Sequence, residues 1–404
     1  MTTFSLDPGQ SAWCAELRAL AAERLRPLAE KGEPGHVNRP LVEALGELGL
    51  LDRLFEEPGG RGGAGRATSG ALGLCLMRES LAYACTEAET ALALQGLGAH
   101  PVHAYGSAAQ RARWLPEARA GRAVAAFALS EPGAGSDAAA LSLAAEPDGS
   151  EGWRLTGEKR WISNAPEADF YTVFARTSPD AGARGVTAFL VPADRAGLTG
   201  TALDMLSPHP IGALAFDGVR VGRDDVLGET DRGFRVAMTT LNRFRPSVGA
   251  FAVGMAAAAL DASLAHTAER NAFGGKLKDL QSLAHQIAEM ATRTEAARLM
   301  VYAAAAAYDE QGAEAVEGAE AARGPGIARR AAMAKLLATE TAQYVVDAAV
   351  QLHGARALQR GHLLEHLYRE VRAPRIYEGA SEIQRTIIAK ELYSAQTSEK
   401  EPPA

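Results

Sequence analysis

The sequence lacks several features that would assign a protein to a class at once. It has only three cysteines, Cys14, Cys75 and Cys85, without metal-ligand spacing, so we expect reduced thiols and no disulfide framework. Basic residues are not in excess, and a formal net charge of -7 without a basic stripe argues against a nucleic acid partner. No apolar run approaches the ~20 residues that cross a bilayer, and the N-terminus has no charged segment followed by an apolar core. We expect a soluble, cytoplasmic protein with no membrane partner.

Familiar catalytic patterns are also missing. The histidines show no His-x-x-His or Glu-x-x-His pairing with further ligands, so no metal site is predicted. No serine lies in a nucleophile elbow, which argues against hydrolysis. The glycine-rich stretch "PGGRGGAG" (Pro58 to Gly65) has no Gly-Lys-Ser/Thr ending, and we interpret it as a connection between helices. The stretch "ALSEPGAGSD" (Ala128 to Asp137) does not lead into a helix, so a Rossmann fold is not predicted.

The spacing of apolar residues changes along the chain. Residues 1–122 are rich in alanine and leucine at three- and four-residue spacing, which predicts a helical N-terminal domain. Residues 123–233 contain short runs such as "FYTVFART" and "GVTAFLVPA" between turn residues, which predict a middle β domain forming a sheet or barrel. Helical spacing returns over residues 234–393 and predicts a C-terminal four-helix bundle. The polar segment 394–404 is expected to be disordered. The predicted fold class is α+β.

Four short motifs stand in this order on the helix, sheet and helix layout: "EPGAGSD", "KRWISNA", "ERNAFGGKLKDLQ" and "IYEGASEIQR". Together they resemble the acyl-CoA dehydrogenase family over nearly the whole chain. The resemblance implies a bound FAD, an acyl thioester substrate and a homotetramer or homodimer. It also implies an electron-transfer flavoprotein as the electron acceptor.

Glu378 is the candidate catalytic base. Breaking the α C–H bond of a thioester requires a base on one side and a hydride acceptor on the other. Flavin N5 is the acceptor that the resemblance implies, since no side chain accepts hydride. Some relatives place the base on the helix after the β domain, where this chain has Phe244. The alternative is that Glu378 only favours the start of the following helix.

The resemblance also implies the cofactor and substrate contacts. The predicted FAD contacts are Phe127, Leu129, Ser130, Gly135, Ser136, Trp161, Ile162, Ser163, Arg270, Phe273, Leu280, Gln281, Gln351, Leu352, Gly354, Ala355, Ala380 and Glu382. The predicted substrate contacts are Ser136, Asn242, Arg245, Tyr377, Gly379 and Lys390, and a plain surface charge is the alternative for Arg245. In the family Arg270 reaches the FAD of the neighbouring subunit.

The sequence departs from the family pattern near both ligands. Ala380 and Ala272 replace frequent threonines, and Asn242 replaces an aspartate that commonly bonds the pantetheine arm. The usual "G-x-R-x-S-x-T" stretch of the β domain is absent. These changes leave the acyl group open, so a carrier-protein thioester or a ring-bearing acyl group remains an alternative to a plain acyl-CoA. A flavoprotein oxidase or monooxygenase, or an acyl-thioester-binding scaffold without FAD, are the other hypotheses.

Overall fold

The computed structural model describes residues 6–55, 70–149, 152–314 and 326–398. The predicted connection Pro58 to Gly65 lies outside the described residues, as do residues 399–404 of the predicted tail. Contacts group the chain into two compact units. We call Met1–Ala22, Glu57–Thr86 and Asn242–Ala404 the helical unit, and Glu23–Glu56 with Glu87–Leu241 the sheet unit.

Helices make up most of the described chain. They are α1 (Pro8–Leu20), α2 (Arg26–Ala29), α3 (Arg39–Glu47), α4 (Gly70–Ala84), α5 (Thr86–Tyr105), α6 (Ala108–Arg119), α7 (Gly233–Glu269), α8 (Gln281–Glu314), α9 (Ile327–His353), α10 (Leu363–Glu370) and α11 (Ser381–Ser398). A π-helical turn, Ala21–Leu25, joins the first two. The short α10 was not predicted, and α11 extends through residues 394–398, which we expected to be disordered.

The strands form one curled sheet and a small hairpin. They are β1 (Ala125–Ala128), β2 (Ala144–Pro147), β3 (Gly152–Ser163), β4 (Phe170–Arg176), β5 (Val186–Pro192), β6 (Leu198–Ala202), β7 (Ile211–Gly222), β8 (Asn271–Ala272) and β9 (Gly275–Lys276). The order in the sheet is β1-β4-β2-β3-β7-β6, and β5 pairs with β4. Both β1 and β2 run parallel to β4, and the other pairs are antiparallel. The helix, sheet and helix order of the predicted fold class is therefore observed.

The helical unit is held by close packing of alanine-rich helices. Its core combines buried residues of α4, α7, α8 and α9, among them Leu76, Met255, Val301 and Val345. At Gly254 of α7 any side chain would meet the backbone of α4, because an added Cβ would overlap the carbonyl of Glu79. Glycine is therefore required where these two helices approach.

The sheet unit includes helices that were predicted to form part of a separate N-terminal domain. Gly98 of α5 lies so close to β1 that an added Cβ would be 2.6 Å from the carbonyl carbon of Ala125. Thr172 of β4 also donates to the Gly98 carbonyl, at 3.1 Å. These contacts explain why α5 groups with the sheet while α4 groups with the bundle. The three consecutive domains remain a prediction.

One helix, α7, is long and apolar enough to cross a membrane by length and composition. However, 72% of its most apolar window is buried inside the protein. The core helix of a globular protein has the same properties, so this finding alone assigns no membrane role.

Candidate active site

Glu378 lies in the turn between a 3-10 segment, Ala373–Arg375, and α11. Its backbone is in the left-handed region at φ 51°, and Gly379 follows at φ 92°. The acidic residue in the first turn of α11 is Glu382. Glu378 is therefore placed before the helix by an unusual backbone conformation, which a residue that merely favours a helix start does not need.

Three cations of the helical unit act electrostatically on the Glu378 carboxylate: Arg78 of α4, Lys335 of α9 and Arg245 of α7. The Oε2 atom of Glu378 is shielded from solvent and has no hydrogen-bond partner among the described residues. A shielded carboxylate oxygen with free lone pairs is suited to accepting a proton from a ligand.

Burial is the dominant influence on Glu378 and raises the pKa of its carboxyl above the ordinary value. Arg78, Lys335 and Arg245 oppose this rise by favouring the charged form. The side chain is therefore a stronger base than a solvated carboxylate, while the cations keep the ionised form accessible.

Arg245 is buried rather than a surface charge, with 6% of its area exposed. Its Nη1 donates to Oδ1 of Asn242 at 2.8 Å, and its Nε has no partner among the described residues. Burial lowers the pKa of Arg245, and Glu378 opposes that effect. Asn242 therefore holds Arg245 next to the base, a role that the sequence did not indicate.

In the sheet unit, the turn after β1 is held by a buried ion pair. Lys159 of β3 donates to Glu131 Oε1 at 2.7 Å and to the Leu129 carbonyl at 2.9 Å. The Glu131 carboxylate also accepts from the backbone N–H of Ser142 and Leu143. Burial acts to raise the pKa of Glu131, but Lys159 and these donors outweigh it and the pKa is lowered.

This ion pair fixes the segment that carries Ser130, Gly135 and Ser136. The backbone of Glu131 and Ala134 exchanges two hydrogen bonds of 3.1 Å, which closes a tight turn. The carbonyl of Ser130 accepts from the N–H of Arg160, which joins the turn to β3. Glu131 and Lys159 were not predicted as site residues, although both lie within the quoted motifs.

Trp161 lies at a bulge in β3, where the register shifts between Arg160 and Ile162. Its backbone has φ 59°, and 47% of the residue is exposed. Ile162 is buried in the sheet core, so its side chain is not exposed to a ligand. The bulge thus leaves the indole partly exposed, with the Arg160 guanidinium 6.0 Å from its ring centroid. Ser163 follows two residues later in β3, and its hydroxyl has no partner within the described chain.

Arg270 and Phe273 lie at the end of α7 and in the β8–β9 hairpin of the helical unit. Phe273 is 91% exposed at φ 52°. Arg270 is exposed and forms no ion pair with any residue that the structure describes. A free guanidinium beside an exposed aromatic ring can bind a diphosphate and an adjacent aromatic group.

The remaining predicted residues are placed on several elements of the two units. Leu280 directly precedes α8 and Gln281 begins it, while Gln351, Leu352, Gly354 and Ala355 lie at the end of α9 and in the 3-10 segment that follows it. Tyr377, Gly379 and Ala380 share the turn of Glu378, and Glu382 and Lys390 lie on α11. Phe127 and Leu129 lie in and after β1.

Gln95 of α5 is a buried polar residue whose side chain is bonded to the backbone. Its Nε2 donates to the carbonyls of Ala118 and Ala123, and its Oε1 accepts from the N–H of Ala125. All its polar atoms are thus used in joining α5 to the start of β1. We infer that it does not set acyl specificity.

An open polar depression of about 450 Å³ lies between α9, α10 and the segment before Glu378. Its walls include Glu340, Asp347, Arg372 and Arg375. None of the residues predicted to contact FAD or substrate lines it, so its volume says nothing about the acyl pocket.

In the part of the chain that the structure describes, no group of three or more His, Cys, Asp or Glu side chains could hold a metal ion. Cys75 is buried, which raises the pKa of its thiol and keeps it unreactive. Cys14, Cys75 and Cys85 are buried thiols that form no disulfide within the described part of the chain.

Comparison with known proteins gives consistent matches over the chain. Family models described as the N-terminal, middle and C-terminal domains of acyl-CoA dehydrogenase match residues 7–122, 126–219 and 231–393. A probable acyl-CoA dehydrogenase FadE25 of Mycobacterium tuberculosis (strain ATCC 25618 / H37Rv) is 35% identical over 394 residues, which cover 96% of each chain.

Solved structures match as well. A glutaryl-coenzyme A dehydrogenase in complex with glutaryl-CoA has a TM-score of 0.86 and 30% identity, and 97% of each chain is covered. A structure of PigA with FAD and proline has a TM-score of 0.84 and 26% identity, and covers 97% of this chain and 99% of that one.

Proposed function

Because this chain belongs to the acyl-CoA dehydrogenase family, we propose that it removes hydrogen from Cα and Cβ of an acyl-CoA thioester and forms the 2-enoyl-CoA. The membership confirms the resemblance that the four motifs predicted, and the chain is an oxidoreductase of this family. The observation that carries the proposed mechanism is Glu378, a shielded carboxylate on a left-handed turn, on which three cations act electrostatically.

The residues of the chain suit FAD as the cofactor. In the sheet unit, the exposed indole of Trp161 can pack on a flavin ring, and the hydroxyls of Ser130 and Ser163 can bond its polar edge. In the helical unit, Arg270 offers a fork of N–H donors for a diphosphate. FAD, when bound, supplies the hydride acceptor that no side chain provides. The PigA structure contains FAD and supports the same cofactor here.

In this mechanism Glu378 Oε2 accepts the α-proton. The oxygen has no competing donor among the described residues, so it is available to the C–H bond of a bound thioester. Arg78, Lys335 and Arg245 favour the ionised carboxylate before the reaction. Burial makes the proton transfer less uphill than it would be to a solvated carboxylate.

We propose the acyl group and the electron acceptor only as chemical classes. Straight, branched and cyclic acyl-CoAs are all candidates, and the proline in the PigA structure, a ring compound, supports including ring-bearing acyl groups. A carrier-protein thioester stays an alternative substrate. An electron-transfer flavoprotein is the proposed acceptor, and a homotetramer or homodimer the proposed assembly. A cytoplasmic location stays a prediction.

Changing Glu378 to Gln tests the role of the base. The variant keeps the size and polarity of the side chain but loses the proton acceptor, so we expect flavin reduction to slow by about 10²–10⁴-fold. The measurement is anaerobic stopped-flow bleaching of the FAD-loaded protein with the best thioester from a panel of straight, branched, cyclic and aromatic acyl-CoAs. FAD content and thioester binding should change little.

Glu391→Gln makes the same chemical change on α11 away from the turn and serves as the control. If Glu378 only favoured the helix start, Glu378→Gln would cost about 0.3–1 kcal/mol of stability and leave the reduction rate intact. Reduction of Glu378→Gln at the wild-type rate would end the assignment of the base. A wild-type protein that no thioester reduces would contradict the proposed activity.

A further inference from the structure

The turn that carries Glu378 is bonded on both sides by one buried lysine. Lys335 lies in the middle of α9 and is fully buried. Its Nζ donates to the carbonyl of Tyr377 at 3.0 Å and to the carbonyl of Gly379 at 2.7 Å. These are the residues directly before and after Glu378, so the ammonium group spans the backbone of the proposed base.

The same helix also holds the two ends of the turn. Glu340 of α9 forms an ion pair with Arg375 at 2.8 Å, before the turn, and accepts from the hydroxyl of Ser381 at 2.6 Å, after it. Gln384 of α11 adds a bond from Nε2 to the Gly379 carbonyl at 2.8 Å. The middle and both ends of the turn are therefore bonded to neighbouring helices.

These bonds compensate for an unfavourable backbone. Glu378 has φ 51°, a conformation that few non-glycine residues adopt and that costs about 1–3 kcal/mol. Such a conformation persists only where surrounding contacts determine it. Lys335 supplies two of these contacts directly, to the carbonyls of the residues before and after the strained one.

We propose that Lys335 is a positioning residue of the reaction, because its two hydrogen bonds fix the left-handed turn that carries Glu378. Its positive charge also favours the ionised form of that carboxylate. Lys335 does not touch the reacting atoms, so it acts only through Glu378. The proposal rests on the proposed function, because it assigns Lys335 to the α-proton transfer.

The groups that face Lys335 support both parts of this role. Burial is the main cause that lowers the pKa of Lys335 to about 8. The carboxylates of Glu378, Glu340 and Glu382 act to raise this pKa, and Arg245 acts to lower it. The lysine is thus charged at neutral pH. Above a pH of about 8 the amine is neutral, but it still has two N–H groups, enough for both carbonyls. The electrostatic effect is therefore lost at alkaline pH, whereas the hydrogen bonds to the turn persist.

Two substitutions separate the charge from the hydrogen bonds. Lys335→Gln removes the charge but keeps N–H donors, and Lys335→Met removes both while filling a similar volume. Each variant is loaded with FAD, and its anaerobic flavin reduction is measured against pH with a thioester that reduces the wild type.

As the pH is lowered, the flavin reduction rate falls because Glu378 becomes protonated. We expect this fall to occur about one pH unit higher in both variants, since a nearby opposite charge lowers a carboxyl pKa by that much or more. Lys335→Met should also lower the maximal rate by about 10²-fold, the typical effect of misplacing a reacting group. Lys335→Gln should lose less of the rate. FAD content should stay near the wild-type value in both.

Thr339→Val provides the control on the same helix. Thr339 is buried one turn along α9, and its hydroxyl donates within the helix, to the Lys335 carbonyl at 2.9 Å. This variant disturbs α9 without touching the turn, so its pH profile should match the wild type. Thermal midpoints of all three variants show how much stability each loses.

If both Lys335 variants lose flavin reduction at the same acid pH as the wild type, the electrostatic part of the proposal is wrong. If Lys335→Met keeps the maximal rate of the wild type, the positioning part is wrong. Failure of both variants to fold would assign Lys335 to stability and reject the positioning role. Failure of the proposed function is distinguished from these outcomes because it shows in the wild type, as the absence of reduction by any thioester.

Discussion

Two residues with left-handed backbones stand at the chemically important points of this chain. Trp161 has φ 59° at the bulge of β3, and Glu378 has φ 51° in the turn before α11. Neither is glycine, so each conformation is unfavourable by itself and is held by its surroundings. In both cases a buried lysine of the same unit bonds to the adjacent segment: Lys159 beside the first and Lys335 beside the second.

The buried pair of Lys159 and Glu131 leads to a stability prediction. Lys159→Met leaves Glu131 buried without its cation, so the free energy of unfolding should fall by about 3 kcal/mol. Urea unfolding at neutral pH measures this loss. The double variant Glu131→Gln/Lys159→Met removes the isolated charge and should recover part of the stability.

The same pair sets a pH dependence with a definite sign. The pKa of Glu131 is lowered in the folded protein, so its stabilisation is present above the ordinary carboxyl value and is lost as the pH falls through the lowered one. The stability difference between wild type and Lys159→Met should therefore narrow at acid pH. A difference that is constant with pH would show that the pair contributes nothing electrostatic.

Sequence patterns indicate the proposed site residues but not the groups that hold them in place. Glu378 and Trp161 lie in recognisable short motifs, whereas Lys335 and Arg78 lie far from residue 378 in sequence and carry no local signal. Their roles depend on which helix faces of α4 and α9 pack toward the turn, which is decided by the tertiary structure. Gln95 shows the opposite case. It is a polar residue of α5, but its side-chain amide is hydrogen-bonded to three backbone groups rather than exposed to a ligand.

At the level of whole elements, the predictions were accurate where periodicity is long. Helical spacing over residues 234–393 predicted helices in this part of the chain, and the structure has the long helices α7, α8, α9 and α11 there. Short elements such as β6 and α10 were missed because a few residues give too little periodic signal. The bulge in β3 was missed because register shifts depend on the partner strand.

The start of α4 is capped by a residue of another helix. Asp309 of α8 accepts from the backbone N–H of Ala71 at 2.7 Å and of Leu72 at 2.9 Å. Asp309→Ala should therefore lower the free energy of unfolding by about 1 kcal/mol, the usual value of a lost cap, as measured by urea unfolding. Asp347→Ala, an exposed change on α9, should stay within about 0.5 kcal/mol of wild type. Equal effects of the two changes would argue against capping by Asp309.

For the whole molecule, the free guanidinium of Arg270 leads to a prediction about assembly. If Arg270 binds the FAD of a neighbouring subunit, diluting the protein should release FAD together with dissociation of the oligomer. Arg270→Ala should weaken FAD binding at least tenfold, about 1.4 kcal/mol, measured by flavin fluorescence at several protein concentrations. Arg223→Ala, which removes one positive charge from the sheet unit, is the control. A monomer, identified by light scattering, that keeps FAD as tightly as the oligomer would contradict the cross-subunit role.

The bonds from α9 to the Glu378 turn also have a consequence for how the chain folds. Lys335 and Tyr377 are 42 positions apart, so the bond between them closes a long loop whose entropy must be lost before the contact forms. Apart from the local bond from Gln384 to the Gly379 carbonyl, the bonds to the strained turn described above come from α9, so the turn acquires its conformation only when α9 and α11 have packed. Geometry at the base is thus a late and cooperative product of folding, and a partly folded chain can contain most of its helix without a competent catalytic group.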